Sequence, residues 1–256
     1  MRTPDTLPVP RIPFWALVRH DFKRRRAGRL RAYRAWVLAY LAAVCVIFIA
    51  LATYVGRIGD FDPRPVWYAT FGLPFMCFGL GIGWTVNEWK NGTAGWWLTL
   101  PAPRTRLIAS KFTAVLLRTL FIYAMVFLGI TVFGLYTMAV GGHLTAQAAS
   151  AFLGVGMRWY SLLLAITPLP CAFGVFHGTL GQSRLKPAIP LVWMAFGLLW
   201  WLLSTRRLVH MHPDDPTLAL SLHWTWPMLW PVLGTWILSY VLLQLAAIIL
   251  ERHLAM

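Results

Sequence analysis

TLFIYAMVFLGITVFGLYTMAV, Thr119–Val140, is the stretch on which the fold turns. Its 22 residues contain no Asp, Glu, Lys or Arg. At a helical rise of about 1.5 Å per residue it covers about 33 Å, the thickness of a bilayer's hydrocarbon core. Extended back to residue 112 it forms one predicted span, 112–140, and similar runs lie at 35–55, 66–86, 159–180, 188–203 and 228–250. The fifth is the shortest, with Pro187 and Pro190 at its start and Trp200 and Trp201 at its far end. Composition agrees: of 256 residues 59% are hydrophobic and 12% charged, against about 25% charged in a soluble domain. The expectation is an all-α integral membrane protein, with an N-terminal amphipathic interfacial helix followed by six transmembrane helices and both termini cytoplasmic. Residues 1–34 form the basic N-terminal segment and 35–256 the transmembrane domain.

Orientation follows from charge. Twenty-three Lys and Arg stand against eight acids, a formal net of +15, which in a soluble protein points to nucleic acid. With the N-terminus in the cytoplasm, 18 of the 23 cations but only four of the eight acids fall on the inner side. That is the positive-inside distribution, so the surplus is an orientation signal and no nucleic-acid partner is expected. Thirteen of the fifteen tryptophans lie near a predicted span end, where an amphipathic ring favours the headgroup level, and only Trp193 and Trp236 sit well inside one. Ala50-Leu51-Ala52 has the form of a signal-peptide cleavage site, but the apolar run before it exceeds the ~7–15 residues of a signal core. Cys45, Cys77 and Cys171 all fall within spans and make no disulfide or zinc framework.

The segment Pro13–Arg34 joins apolar residues to a basic run. Trp15, Val18 and Phe22 repeat at i, i+3 and i+7, and Lys23, Arg24, Arg25 and Arg26 follow directly. This is the pattern of a helix lying in the headgroup boundary and meeting anionic lipid. A loose tail whose cations only set topology is the competing reading.

The largest internal cytoplasmic loop is 87–111, NEWKNGTAGWWLTLPAPRTRLIASK. Thr93, Trp96, Trp97 and Leu100 fall at i, i+3, i+4 and i+7, one face of a short helix closed by Pro101 and Pro103. That face needs the bilayer surface or a partner's groove to cover it. Glu88 is the single acid of the loop, and at a membrane boundary it is costly unless paired. Lys111 and Arg118, at i and i+7 where the third span begins, are its expected partners.

An acid ending the second span (Glu88), Gly92-Thr93, a short hydrophobic helix, Pro101-Ala102-Pro103-Arg104 and Lys111 opening the third span together resemble the membrane subunit of type-2 ABC exporters. The motif covers about 25 residues, and the wider plan of interfacial helix, six spans and a longer external loop at 204–227 extends the likeness over nearly the whole chain. The resemblance implies a permease in a bacterial inner or plasma membrane, working as a homodimer or with a homologous permease. Separate ATP-binding subunits, which hold ATP and Mg, would engage each permease through a coupling helix, here Thr93–Leu100 with Thr93, Trp96, Trp97 and Leu100 as contacts. Arg104, with Glu88, Lys111 and Arg118, would supply the structural charges. This chain has no Gly-x4-Gly-Lys-Ser/Thr loop, so no cofactor is expected on it and the energy must come from another polypeptide.

Inside the spans, Gly79-x3-Gly83, with Gly81 between, and Gly174-x3-Gly178 are spacings that let helices approach closely. Thr167-Pro168-Leu169-Pro170 should interrupt span four and free backbone carbonyls. His177 is the single ionisable group that stands out within a span, and that scarcity argues against proton- or sodium-coupled transport. Externally, His210-Met211-His212 with Asp214 and Asp215 lacks a ligand set at metal spacing. Two other classes stay open: an intramembrane enzyme, for which no nucleophile or metal motif is found, and a membrane anchor that holds a cytoplasmic partner without transporting.

Overall fold

The computed structural model describes residues 13–23, 30–57, 62–205 and 226–252. Among the described residues every regular element is helical: α1 (Phe14–Lys23), α2 (Leu30–Arg57), a 3-10 segment (Arg64–Gly72) running into α3 (Leu73–Lys90), α4 (Ala94–Thr99), α5 (Arg104–Val140), α6 (Ala146–Ile166), α7 (Pro168–Leu180), a 3-10 turn (Lys186–Ala188) running into α8 (Ile189–Thr205), and α9 (Trp226–Arg252). Among the described residues five segments are long and apolar enough to cross a membrane: Leu38–Arg57, Arg64–Lys90, Arg104–Val140, Ala146–Leu180 and Leu229–Arg252. The expected fifth of six spans is α8, whose apolar stretch Lys186–Leu198 is shorter than these. The expected external loop lies mostly outside the described residues, with His210 and His212 in it.

α5 is the central element. It touches α1, α2, α3, α6, α7 and α9, and its 37 residues extend about 55 Å. Since the charge-free Thr119–Val140 already matches the hydrocarbon core, the Arg104 end projects beyond it. The outer surface is what a lipid solvent permits: α2 exposes Trp36, Leu38, Tyr40, Ile47 and Tyr54, each more than 60%.

The tightest crossing joins α3 to α7. A Cβ on Gly81 would lie 2.9 Å from the Cys171 carbonyl oxygen and 2.9 Å from Gly174 Cα, and one on Gly178 would lie 2.7 Å from Thr85 Cβ. Gly79 and Gly83 face the other way, with nothing within 4 Å of a Cβ at either. The close approach expected of span two is therefore made by the middle glycine, because the face that meets α7 is the one carrying Cys77, Gly81 and Thr85, all buried.

Span four is interrupted where Thr167-Pro168 stands. α6 ends, α7 begins, and the Thr167 hydroxyl donates to the Leu163 carbonyl at 2.6 Å. Trp236 of α9 donates its indole N–H to the Ala165 carbonyl at 3.0 Å, in the turn before the break. Trp193 of α8 donates to His177 Nε2 at 3.3 Å. Both tryptophans that the sequence places inside spans thus bring their N–H to span four, where the proline break and His177 supply acceptors.

Candidate partner-docking site

The expected loop 87–111 is mostly helical. α3 runs through Glu88 to Lys90 and α5 starts at Arg104, so Glu88 lies in the last turn of α3 and Lys111 two turns inside α5. The connection begins at Gly92, whose φ of 66° is the left-handed conformation that glycine adopts without a Cβ penalty. The Thr93 N–H donates to the Glu88 carbonyl at 3.0 Å and the Gly92 N–H to that of Trp89 at 3.1 Å. This pair of bonds is the Schellman arrangement, and it closes the end of α3.

The same turn brings the Thr93 side chain back over α3. Its hydroxyl donates to Glu88 Oε2 at 2.6 Å. Glu88 Oε1 accepts from Lys111 Nζ at 2.8 Å. Lys111 is 0% exposed and Glu88 3%. A fully buried ammonium requires both a counter-charge and hydrogen bonds, and Glu88 supplies both while anchoring the Gly92-Thr93 turn. In physical terms, Gly-Thr is needed there because one residue must turn left-handed and the next must return a hydroxyl to the carboxylate.

α4 itself has six residues, too few to persist alone. It is clamped at its end by Arg104, whose guanidinium donates to the Leu98 carbonyl at 2.7 Å. The expected helix Thr93–Leu100 is shortened at each end: Thr93 precedes it, its hydroxyl turned to Glu88, and Leu100 is extended with ψ 135° and packs half-buried against the core. Trp96 and Trp97 lie in α4, and their side chains lie outside what is described.

Arg118 does not join this cluster. Seven residues beyond Lys111, it is two turns deeper along α5, and its guanidinium stacks 4.5 Å over the Trp84 ring of α3. The third group at Lys111 is Asp21 of α1, with Oδ2 3.9 Å from Nζ and 3% of the residue exposed. Asp21 is not among the site residues expected from sequence, although the signal was available: it is the single acid between Pro13 and Arg34, as Glu88 is in its loop.

Of the face of α1 expected to meet the membrane, Val18 turns to the protein instead. Leu17, Val18 and Asp21 are buried, while Trp15 and Phe22 are 66% and 45% exposed. Val18 goes to the protein because α5 occupies that side, and the two aromatics remain on the free side. Lys23 ends the helix, and Arg24, Arg25 and Arg26 lie outside the described residues. No group of three or more potential metal ligands occurs among the described residues.

Residues 28–182, more than half of the chain and spanning α2 through α7, match the family described as ABC-2 family transporter protein. Neither a curated protein nor a solved structure matches the chain. With the acid, the Gly-Thr turn, the clamped short helix and the buried lysine all inside the matched region, the chain belongs to the ABC-2 transporter family and is a multi-pass membrane permease component of a type-2 ABC transporter.

Proposed function

We propose that this permease lines a translocation pathway together with a second copy of itself or a homologous permease, and that separate ATP-binding subunits drive it by docking at α4. The observation that carries this reading is the attachment of α4. It is fixed to α3 through Thr93 and Glu88, and to α5 through Arg104 and the Glu88–Lys111 pair. Force applied to α4 therefore reaches the ends of two membrane helices through a buried, hydrogen-bonded joint instead of a slack loop. Trp96 and Trp97 are the proposed contact residues, with Thr93 and Leu100 positioning the helix that presents them.

In this reading α8 completes six spans, both termini and α4 face the cytoplasm of a bacterial inner membrane, and cargo moves outward. The charge distribution supports that orientation, since 18 of 23 cations fall on the α4 side. ATP and Mg belong to the partner. The free face of α1, with Trp15 and Phe22, meets the lipid headgroups.

The test is purification of the chain from its native membrane with its partners retained. An ATPase should accompany the wild type and be lost from a Trp96→Ala/Trp97→Ala variant that still reaches the membrane. Retention of the ATPase by that variant counts against α4 as the dock, and absence of any ATPase from the wild type removes the driven-permease reading.

A further inference from the structure

Two carboxylates share one ammonium at the base of α5, and they share it unequally. Lys111 Nζ is 2.8 Å from Glu88 Oε1, a full charge-assisted hydrogen bond, but 3.9 Å from Asp21 Oδ2, an ion contact without one. Asp21 is nevertheless 3% exposed. The remaining group facing it among the described residues is His20 of its own helix, with Nδ1 3.5 Å from Oδ1 and a side chain 54% exposed. A carboxylate removed from water and given the weaker share of one cation sits where its charge is disfavoured. The rest of the α1 footing on the protein is short, with Leu17 and Val18 the buried apolar side chains of this helix.

We propose that Asp21 makes α1 an adjustable arm, whose docking on α5 is loosened by the ionised carboxylate and tightened when Asp21 takes up a proton. The electrostatics agree in sign. Burial raises the Asp21 carboxyl above its ordinary value of 3.8, Lys111 offsets part of this, Glu88 adds to it, and His20 again offsets a part. A group that binds its proton more tightly in the docked form favours docking below that window and disfavours it as pH rises through it. Acidification thus tightens α1 on α5 beside the Glu88–Lys111 pair. The inference goes beyond the transporter reading and does not depend on it.

The test is hydrogen exchange of the α1 amides, Phe14–Lys23, in the whole chain reconstituted into phosphatidylcholine nanodiscs, corrected for the intrinsic pH dependence of exchange. As pH falls from neutral into the carboxyl range, α1 protection in the wild type should rise several-fold. Asp21→Asn should show at neutral pH the protection that the wild type reaches in acid, with no further response, whereas His20→Gln should keep the response. The proposal is overturned by a flat wild-type profile, by a response retained in Asp21→Asn or lost in His20→Gln, or by lower protection of Asp21→Asn at neutral pH. A parallel change across Ala114–Tyr123 of α5 also overturns it, because the whole fold would then be titrating. Partner association is a separate measurement, so failure here leaves docking at α4 untouched.

Discussion

α5 is buried at two levels by opposite means. Near its Arg104 end it encloses full charges, Lys111 with Glu88 and Asp21. Two to three turns further on, Thr119 and Tyr123 are as deeply buried, but their neighbours are neutral: Thr119 Oγ1 lies 3.7 Å from Cys171 Sγ, and Cys77 Sγ contacts Tyr123 at 3.4 Å while donating to its own helix at Leu73. There the distance between α3 and α7 is set by glycine rather than by ions. The difference reflects solvent. Close to water, a buried ion pair can orient helices at a tolerable desolvation penalty, whereas at lipid depth small groups that satisfy themselves locally are cheaper than charge. The level at which α4 attaches is the one oriented by charge.

The largest expected effect breaks the charged level. Lys111→Met removes the cation and leaves two buried carboxylates facing each other, which should destabilise the chain by about 3–5 kcal/mol in reversible unfolding from mixed micelles. Adding Glu88→Gln to it should recover much of that loss, since the penalty lies in uncompensated charge. Equal stability of Lys111→Met and wild type would mean that the pair contributes nothing to the joint.

The neutral level should break through shape. Gly174→Val places its Cβ against the Phe78 carbonyl and Gly81 of α3, backbone that cannot rotate away, so a loss of about 3 kcal/mol is expected. Gly79→Val is its control, because nothing lies within 4 Å of that Cβ; beyond a helix-propensity difference of a few tenths of a kcal/mol, melting should not move. If the two variants melt alike, the α3–α7 crossing has been assigned to the wrong face.

A smaller effect separates the turn from the ion pair it supports. Thr93→Val keeps the shape and removes the 2.6 Å hydrogen bond to Glu88 Oε2. A bond to a charged acceptor in a half-buried setting is worth about 1.5 kcal/mol, and Thr93→Ser should restore most of it. The same substitution should loosen α4, read as faster amide exchange over Ala94–Thr99 with α7 unchanged.

How much of this was legible in the sequence depends on the range of the cause. Long charge-free runs declare themselves, because lipid imposes one requirement on every residue of a span, and so five of the six expected spans and the short α4 follow from spacing. Choosing a face is another matter. Gly79-x3-Gly83 and Gly81 lie on one helix, and only the position of α7 decides which of them meets it. Trp15, Val18 and Phe22 formed one apolar stripe until α5 took Val18 and left the aromatics outside. Asp21 does not stand out in the sequence because a lone acid among arginines looks like a solvated neighbour, and its burial depends on Lys111, ninety residues away in the chain. Helical spacing alone pairs Arg118 with Glu88, but two turns of depth separate it from Lys111, and it stacks on Trp84.

The smallest effect probes how the neutral level tolerates a broken helix. Pro168 has no N–H to return to the Leu164 carbonyl, which accepts from the Thr167 N–H at 3.3 Å instead, and Trp236 approaches from α9 to donate to the next carbonyl, Ala165, at 3.0 Å. Since Trp236 is 56% exposed, Trp236→Phe removes the donor while keeping most of the apolar surface. Side-chain hydrogen bonds between membrane helices average about 0.6 kcal/mol, and a loss of that size is expected in micelle unfolding. The more telling readout is local: amide exchange should quicken around Thr167 while the Glu88–Lys111 end of α5 stays unchanged. A change at both ends would show that the two levels are one cooperative unit, and the contrast between charge and shape would then describe composition without describing separable joints.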